Sequence, residues 1–334
     1  MHMADALVSP AVAGTMYAVS AAAAGYSIYK VKKEDDASKI PVIMGAFVFA
    51  AQMINFTIPG TGSSGHLCGG MLLSALLGPY AGFLTMIGVL FVQCLMFADG
   101  GLLALGCNIW NMAFYGCFIG SILIWKFIMK NGVSKKKITI ASILGCVITL
   151  QLGAFSVTLE TLASGITKLS FGAFVSVMQP IHLAIGLVEG IITACVLVFV
   201  YEARPELLWG IGGSSEKLKN RFSLKKTVAI LAAAAVVIAG GLSLAASQYP
   251  DGLEWSIEKL TGDTELESDG EIYDKASQVQ DTTAVLPDYS FKDSDSAAGT
   301  SVSGIAGALM VVAVCTAGCF IFRFFKNKKV KISE

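Results

Sequence analysis

Long apolar stretches dominate the pattern of this chain. Runs of mainly hydrophobic residues cover roughly 9–29, 40–56, 66–98, 102–128, 138–160, 174–201, 227–246 and 302–322, with short polar or charged segments between them. A helix that crosses a bilayer needs about 20 mainly apolar residues, and most of the runs have about that length. The run 66–98 is too long for one crossing. Gly78-Pro79 lies in its middle, and proline lacks the amide donor that would continue a helix, so two helices are expected near 66–77 and 80–98. The first is short and is expected to tilt or to start below the membrane surface. The pattern predicts an all-α, polytopic membrane protein: about seven transmembrane helices, then a two-helix C-terminal module.

Composition agrees with this class. The 334 residues are 54% hydrophobic and only 14% charged, whereas a soluble domain carries about a quarter charged residues. No basic patch with interleaved aromatics is present, so a nucleic-acid partner is not indicated. The eight cysteines, at 68, 94, 107, 117, 146, 195, 315 and 319, form no C-x-x-C pair. They read as small membrane-buried hydrophobes and fit neither a disulfide framework nor a zinc cluster.

Net charge is zero, but the placement of charge predicts orientation. Basic clusters fall at Lys30/Lys32/Lys33/Lys39, Lys126 to Lys137, Arg204 to Lys226 and Arg323 to Lys331. Placing these in the cytoplasm leaves the N-terminus extracellular and the C-terminus cytoplasmic, with 20 of the 24 Lys and Arg inside. Lys168, Lys259, Lys275 and Lys292 are the exceptions, and the positive-inside rule asks for this asymmetry. The segment 247–300 then lies outside and carries 13 of the 24 acidic residues. Three regions are expected: a membrane component over 1–205, a cytoplasmic linker over 206–226, and an accessory module over 227–334 made of helix, extracellular acidic loop and helix. The loop reads equally as a folded cap, begun by the turn residues Pro250-Asp251-Gly252, or as a solvated linker.

Candidate chemistry centres on the three histidines, His2, His66 and His182, all on the extracellular side in this topology. The N-terminus lacks the basic region of a signal peptide, so the mature chain is expected to begin at Met1. A free amine followed by His offers three donors in one plane: the amine, the His2 amide nitrogen and imidazole Nδ1. A second imidazole supplies a fourth corner, and such tetragonal nitrogen sites favour nickel(II) or copper(II). His66 ends a Gly/Ser-rich loop able to deliver it. Ordinary roles stand beside each reading: a polar tail for Met1-His2, a helix cap or a bond to a loop carbonyl for His66, a hydrogen-bonded helix histidine for His182. His182 lies two turns from Glu189 on one face, and intramembrane ionisable groups are functional candidates. Asp5 is placed either to accept a hydrogen bond from His2 or to be a solvated terminal residue.

Other classes fit poorly. Gly60-x-Gly62-x-x-Gly65 matches a dinucleotide fingerprint, but it joins two membrane helices rather than sitting in a βαβ unit. Ser63 and Ser64 lack a nucleophile elbow, so an enzyme is not expected. A self-sufficient channel or secondary transporter is the main alternative. It would need more polar lining at mid-membrane than Glu189, with Asp99 and Glu160 near helix ends, provides.

These residues resemble a known family, the substrate component of cobalt and nickel energy-coupling-factor transporters (CbiM/NikM). The motifs are Met1-His2 with Asp5, Gly62-Ser63-Ser64-Gly65-His66-Leu67 with Gly69-Gly70, and Leu77-Gly78-Pro79. Gly106 with Asn108-Ile109-Trp110-Asn111-Met112-Ala113-Phe114, and His182-Leu183-Ala184-Ile185-Gly186 with Glu189-Gly190, complete them. The resemblance implies seven helices over most of 1–205, metal ligands from Met1, His2 and His66, and cobalt or nickel as the transported ion. Asp5, Ser64, Asn108, Asn111 and His182 become the candidates for supporting those ligands. It also implies a substrate-capture subunit that works with a transmembrane coupling component and ATP-binding cassette ATPases on separate chains, since no P-loop occurs here. The second module resembles the accessory domain often fused to this component, through Pro250-Asp251-Gly252-Leu253-Glu254-Trp255 and Leu286-Pro287-Asp288-Tyr289-Ser290-Phe291. Where the family start reads Met-His-Ile-x-Asp/Glu-Gly, this chain has Met3 and Ala6, and Ala6 is expected to stiffen the N-terminal turn. On the first helix, Gly14, Ala18 and Ala22 form a small-residue stripe. It reads either as packing within the chain or as a dock for the coupling partner.

Overall fold

The computed structural model describes residues 1–33, 40–211, 220–292 and 296–330. Lys39, Lys217, Lys219 and Lys331 of the basic clusters lie outside the described residues. The elements in order are α1 (Pro10–Lys33), α2 (Ile40–Gln52), β1 (Phe56–Ile58), β2 (Ser63–Gly65), α3 (Gly70–Phe97) and α4 (Leu105–Met129). They continue with α5 (Lys135–Ser164), α6 (Phe171–Ala203), α7 (Leu224–Gly240), α8 (Gly252–Thr261), α9 (Glu271–Thr283) and α10 (Ala297–Val330). The middle of α4, Ile109–Trp125, is wound as a π-helix. Among the described residues six helices are long and apolar enough to cross a membrane: α1, α3, α4, α5, α6 and α10. The apolar helices α2 and α7 are shorter, at 13 and 17 residues.

The expected break in the third run is present, and it reverses the chain. Gly78 has φ 77° and ψ 169°, a left-handed backbone that a Cβ would strain. A Cβ added at Gly82 would lie 3.1 Å from Ser74 Cα. Eight residues along a straight helix are about 12 Å apart, so α3 is a tight helical hairpin folded at Gly78-Pro79. Its turn rests on the ring of Trp209, whose amide donates to Ala75 O at 2.8 Å. Trp125 Nε1 donates to Trp209 O at 2.9 Å, and Lys135 pairs with Glu202 nearby. These contacts gather the segments 126–137 and 202–211 at one end of the bundle, the basic end.

The opposite end gathers the polar loops. Gly101 N donates to Met3 O at 2.9 Å, Ser247 N to Asn55 O at 2.7 Å and Leu286 N to Met96 O at 3.3 Å. The first arm of α3 starts well below this end, because Gly69 N donates to Glu189 at 3.0 Å and Glu189 lies mid-way along α6. The chain from His66 to Gly69 therefore dips into the bundle. The loop 59–66 is more ordered than its Gly/Ser content suggests: β1 and β2 pair antiparallel, with Thr57 opposite Ser64.

Of the two readings of the segment 247–300, the folded cap is the one observed over 247–292. Asp251 begins α8 with a capping box: its Oδ1 accepts from Leu253 N at 2.7 Å and Glu254 N at 3.0 Å, and Glu254 accepts from Asp251 N at 2.9 Å. Leu253 and Ile257 are buried, so α8 packs its apolar face onto α6. Trp255 Nε1 donates to Thr61 O at 3.0 Å, and Tyr273 OH to Val8 O at 3.0 Å. The stripe on α1 behaves otherwise: Gly14, Ala18 and Ala22 are exposed among the described residues.

Candidate metal centre

The N-terminal segment runs into the bundle rather than away from it. Asn108 holds Met3 from both sides, accepting from Met3 N at 2.7 Å and donating to Met3 O at 3.1 Å. Asn111 donates to Met3 Sδ at 3.5 Å and to Glu160 Oε2 at 2.7 Å. A short 3-10 turn, Asp5–Leu7, connects this segment to α1. Ala6 sits in that turn without a positive φ, a conformation that among the described non-glycine residues only Ala98, Asp288 and Tyr289 adopt. The turn therefore accepts alanine without strain.

Met1 is 3% exposed. Its amine lies 3.1 Å from His66 Nε2 and in direct contact with Asp251 Oδ2. Bonds near 2.0–2.1 Å to one metal put neighbouring square-planar nitrogens about 2.9 Å apart, so the amine and His66 already stand at the spacing of adjacent ligands. His66 Nδ1 is 3.1 Å from Leu67 O. A carbonyl only accepts, so Nδ1 carries the hydrogen and Nε2 presents its lone pair to the centre. The His2 and His66 rings stack 5.3 Å apart, 17° from parallel.

His2 faces away from the chelating geometry in this structure. Its Nδ1 pairs with Asp99 Oδ1 at 3.0 Å and its Nε2 lies 3.3 Å from Gln93 Oε1. The carboxylate beside His2 is thus Asp99, not Asp5. Asp5 instead accepts from Ala104 N at 2.9 Å, fixing the turn that enters α4. Asp99 reaches His2 because α3 ends on Ala98 in the left-handed region, φ 55°. Tyr289 buttresses it: its hydroxyl donates to Asp99 Oδ2, accepts from Gln93 Nε2 at 3.3 Å, and its ring stacks on Phe97 at 4.7 Å. Asp288 and Tyr289 both have positive φ, and such local strain persists only where surroundings over-determine it.

The other predicted residues sort by place. Ser64 belongs to the cap joint: its amide donates to Pro250 O at 2.8 Å and its hydroxyl to Tyr249 O at 2.8 Å. His182 lines the same small cavity as Met1, His66, Cys68, Asp251 and Gly252. Its Nδ1 donates to Met178 O at 2.8 Å, and its buried Nε2 has no hydrogen-bond partner. Gly252 fits closely here: a Cβ would lie 2.7 Å from Ile185 Cδ1 and 3.0 Å from His182 Cε1, so either would have to shift to admit one. Among the described residues no group of three or more His, Cys, Asp or Glu side chains is arranged to hold a metal ion, so a centre here depends on the backbone nitrogens of Met1 and His2. Asp251, Asp99 and Tyr289 escaped the sequence reading as site residues. Only the acidic motifs themselves hinted at Asp251 and Tyr289.

Electrostatics at the centre follow from burial and pairing. Burial by itself lowers the pKa of the Met1 amine, but the Asp251 carboxylate raises it above its ordinary value in net. Burial would push Asp251 up, yet the ammonium and His66 hold it well below the usual carboxylate range. Burial and the neighbouring ammonium lower His66, which favours the neutral imidazole a metal needs. Asp99 is held low by His2 and Tyr289 against the upward effect of burial.

The fold and site define a multi-pass helical membrane protein with a capped nitrogen-rich centre at one end. The chain belongs to the CbiM family, described as the cobalt uptake substrate-specific transmembrane region, which matches residues 2–207, and a PDGLE domain matches residues 225–324. A putative fused nickel transport protein NikMN from Archaeoglobus fulgidus is 34% identical over 94% of this chain and 96% of its own length. A putative metal transport protein from Haloquadratum walsbyi is 34% identical over 63% of this chain and 94% of its own length. The crystal structure of a truncated transition metal transporter superposes with a TM-score of 0.53 at 28% identity, covering 60% of this chain and 99% of that one.

Proposed function

We propose that this chain is the substrate-capture subunit of an energy-coupling-factor importer for cobalt or nickel ions. The ligands are the Met1 amine, the His2 amide and Nδ1, and His66 Nε2. One observation carries the reading: a buried amine stands 3.1 Å from an imidazole nitrogen, at the spacing of adjacent ligands on one ion. The chelate forms when His2 Nδ1 exchanges Asp99 for the metal. The basic residues put the polar end outside and the C-terminus in the cytoplasm, so the ion is captured at the extracellular face. Residues 1–205 form the capture component, 206–226 the linker and 227–334 the accessory module. Power comes from a transmembrane coupling component and ATP-binding cassette ATPases on other chains. The test is elemental analysis of the purified chain with a free Met1 amine, which should hold one nickel or cobalt ion and lose it in His66→Ala. A chain that imports metal alone in proteoliposomes, without ATPase partners, would instead be a self-sufficient transporter.

A further inference from the structure

The carboxylate nearest the centre comes from the C-terminal module, and its geometry gives it a task. Asp251 Oδ2 touches the Met1 amine and lies 3.7 Å from His66 Nε2, while those two nitrogens are 3.1 Å apart. Two ligands of one first-row ion, with bonds near 2.0–2.1 Å, are separated by about 2.9 Å when adjacent and about 4.1 Å when opposite. The two longer edges of this triangle fall inside that range, and the third, the direct contact of amine and carboxylate, opens by a small movement to admit the ion. An ion at its centre has three protein donors before His2 moves at all.

The two oxygens of Asp251 have separate duties. Oδ1 is committed to the backbone of α8, accepting from Leu253 N and Glu254 N, which fixes the carboxyl group rigidly. Oδ2 points into the cavity shared with Met1, His66 and His182. Ser64 pins the preceding residue through Pro250 O, and Gly252 closes on Ile185 and His182. The motif therefore presents one oxygen at a set position on the donor triangle, and His2 stays engaged with Asp99 meanwhile.

We propose that Asp251 is the first protein ligand to meet an incoming divalent transition-metal ion, forming with the Met1 amine and His66 Nε2 a transient amine–imidazole–carboxylate site. This rests on the capture reading above. A carboxylate is a harder, weaker ligand for nickel or cobalt than nitrogen, so it suits an entry position that must be vacated. The ion then passes into the chelate as the His2 amide and Nδ1 replace Asp251 Oδ2. The ammonium, the His2 amide and His2 Nδ1, whose hydrogen faces Asp99 until then, each give one proton to solvent, and Asp251 keeps its charge throughout.

The test is the rate of cobalt(II) loading into the full-length chain, followed by its visible absorption, with final stoichiometry measured separately. Asp251→Asn preserves the shape and the helix-capping oxygen but removes the anionic ligand. It should load about tenfold or more slowly, as expected when one charged partner is lost from an encounter. Stoichiometry and final spectrum should match the wild type. Asp251→Glu restores the carboxylate and should load faster than Asp251→Asn. Unchanged or faster loading in Asp251→Asn would overturn the proposal and leave Asp251 as a counterion to the ammonium. Loading of Asp251→Glu no faster than Asp251→Asn would overturn it too, and a changed final spectrum would make Asp251 a permanent ligand instead. Should His66→Ala load like the wild type, the capture reading itself fails, whatever Asp251 does.

Discussion

A buried ammonium is costly unless an opposite charge answers it, and Met1 has Asp251 for that purpose. The same burial leaves only a small cavity in front of the amine. Adding one residue before Met1 turns the amine into an amide and pushes a bulky group into the cavity. We expect isothermal titration to find no tight nickel or cobalt binding in such a chain, and wild-type affinity with an N-terminal tag left on would sink the chelate. His66→Ala should cost well over about 100-fold in affinity, since even groups that merely orient a metal ligand are worth roughly 10–100-fold. Acidity gives a further check. The amine is held protonated to a higher pH than usual, and the metal must displace that proton and the amide proton. Affinity should therefore rise with pH, by about tenfold or more per unit between roughly pH 6 and 8. A flat profile would mean that the amine is not a ligand.

Among the six long apolar helices of the described residues, α1 is the least covered, with 17% of its most apolar stretch buried against 61% for α3. Its stripe of Gly14, Ala18 and Ala22 faces outward, which suits close approach by a partner helix. Ala18→Leu is expected to weaken co-purification with the transmembrane coupling component while leaving metal content unchanged; equal loss of both would argue against a docking face. The helices themselves were legible in the sequence because burial in lipid demands long apolar runs. The hairpin at Gly78 was legible because proline and a positive φ leave a local mark. His66 and the Met1-His2 pair were legible as chemistry. The role of Asp99 was not: it depends on Ala98 adopting a left-handed backbone, which nothing in alanine announces. The β1–β2 pairing was also hidden, since Ser63-Ser64-Gly65 reads as loop and is held in strand form by Thr57 and by Pro250 of the cap.

For the whole molecule, the main contact is between the cap and the helical bundle. Gly252→Ala should force α8 away from Ile185 and His182 at a cost of about 1–3 kcal/mol, the usual penalty of overpacking. Limited proteolysis should then cut 247–292 faster than in the wild type, and unchanged protection would show that the close fit is not needed. The Met1–Asp251 pair also predicts a pH window for docking. Asp251 is held below its ordinary value, so its contribution is present above about pH 4 and lost as pH falls through the depressed pKa. The amine is held above 8.0, so its contribution is full below that value and lost as pH rises through the raised pKa. Cap protection should be flat across the neutral range and fall on both sides. The cap's contacts were the least legible part of the chain, because they join residues far apart in sequence through single side chains and carry no periodic pattern.

The pairing of Met1 with Asp251 spans 250 positions of sequence, and that separation has a consequence for biosynthesis. A ribosome makes the chain in order, so Met1 emerges before its carboxylate partner, which follows only after helices α1 to α7 have been made. Throughout that interval the cap that carries Asp251 is not there to close over the start of the protein. Completion of the centre is thus among the last events of assembly, and a product stopped before residue 251 leaves its amine without this counter-charge. The cell has, in that contact, a chemical mark that translation has passed residue 251.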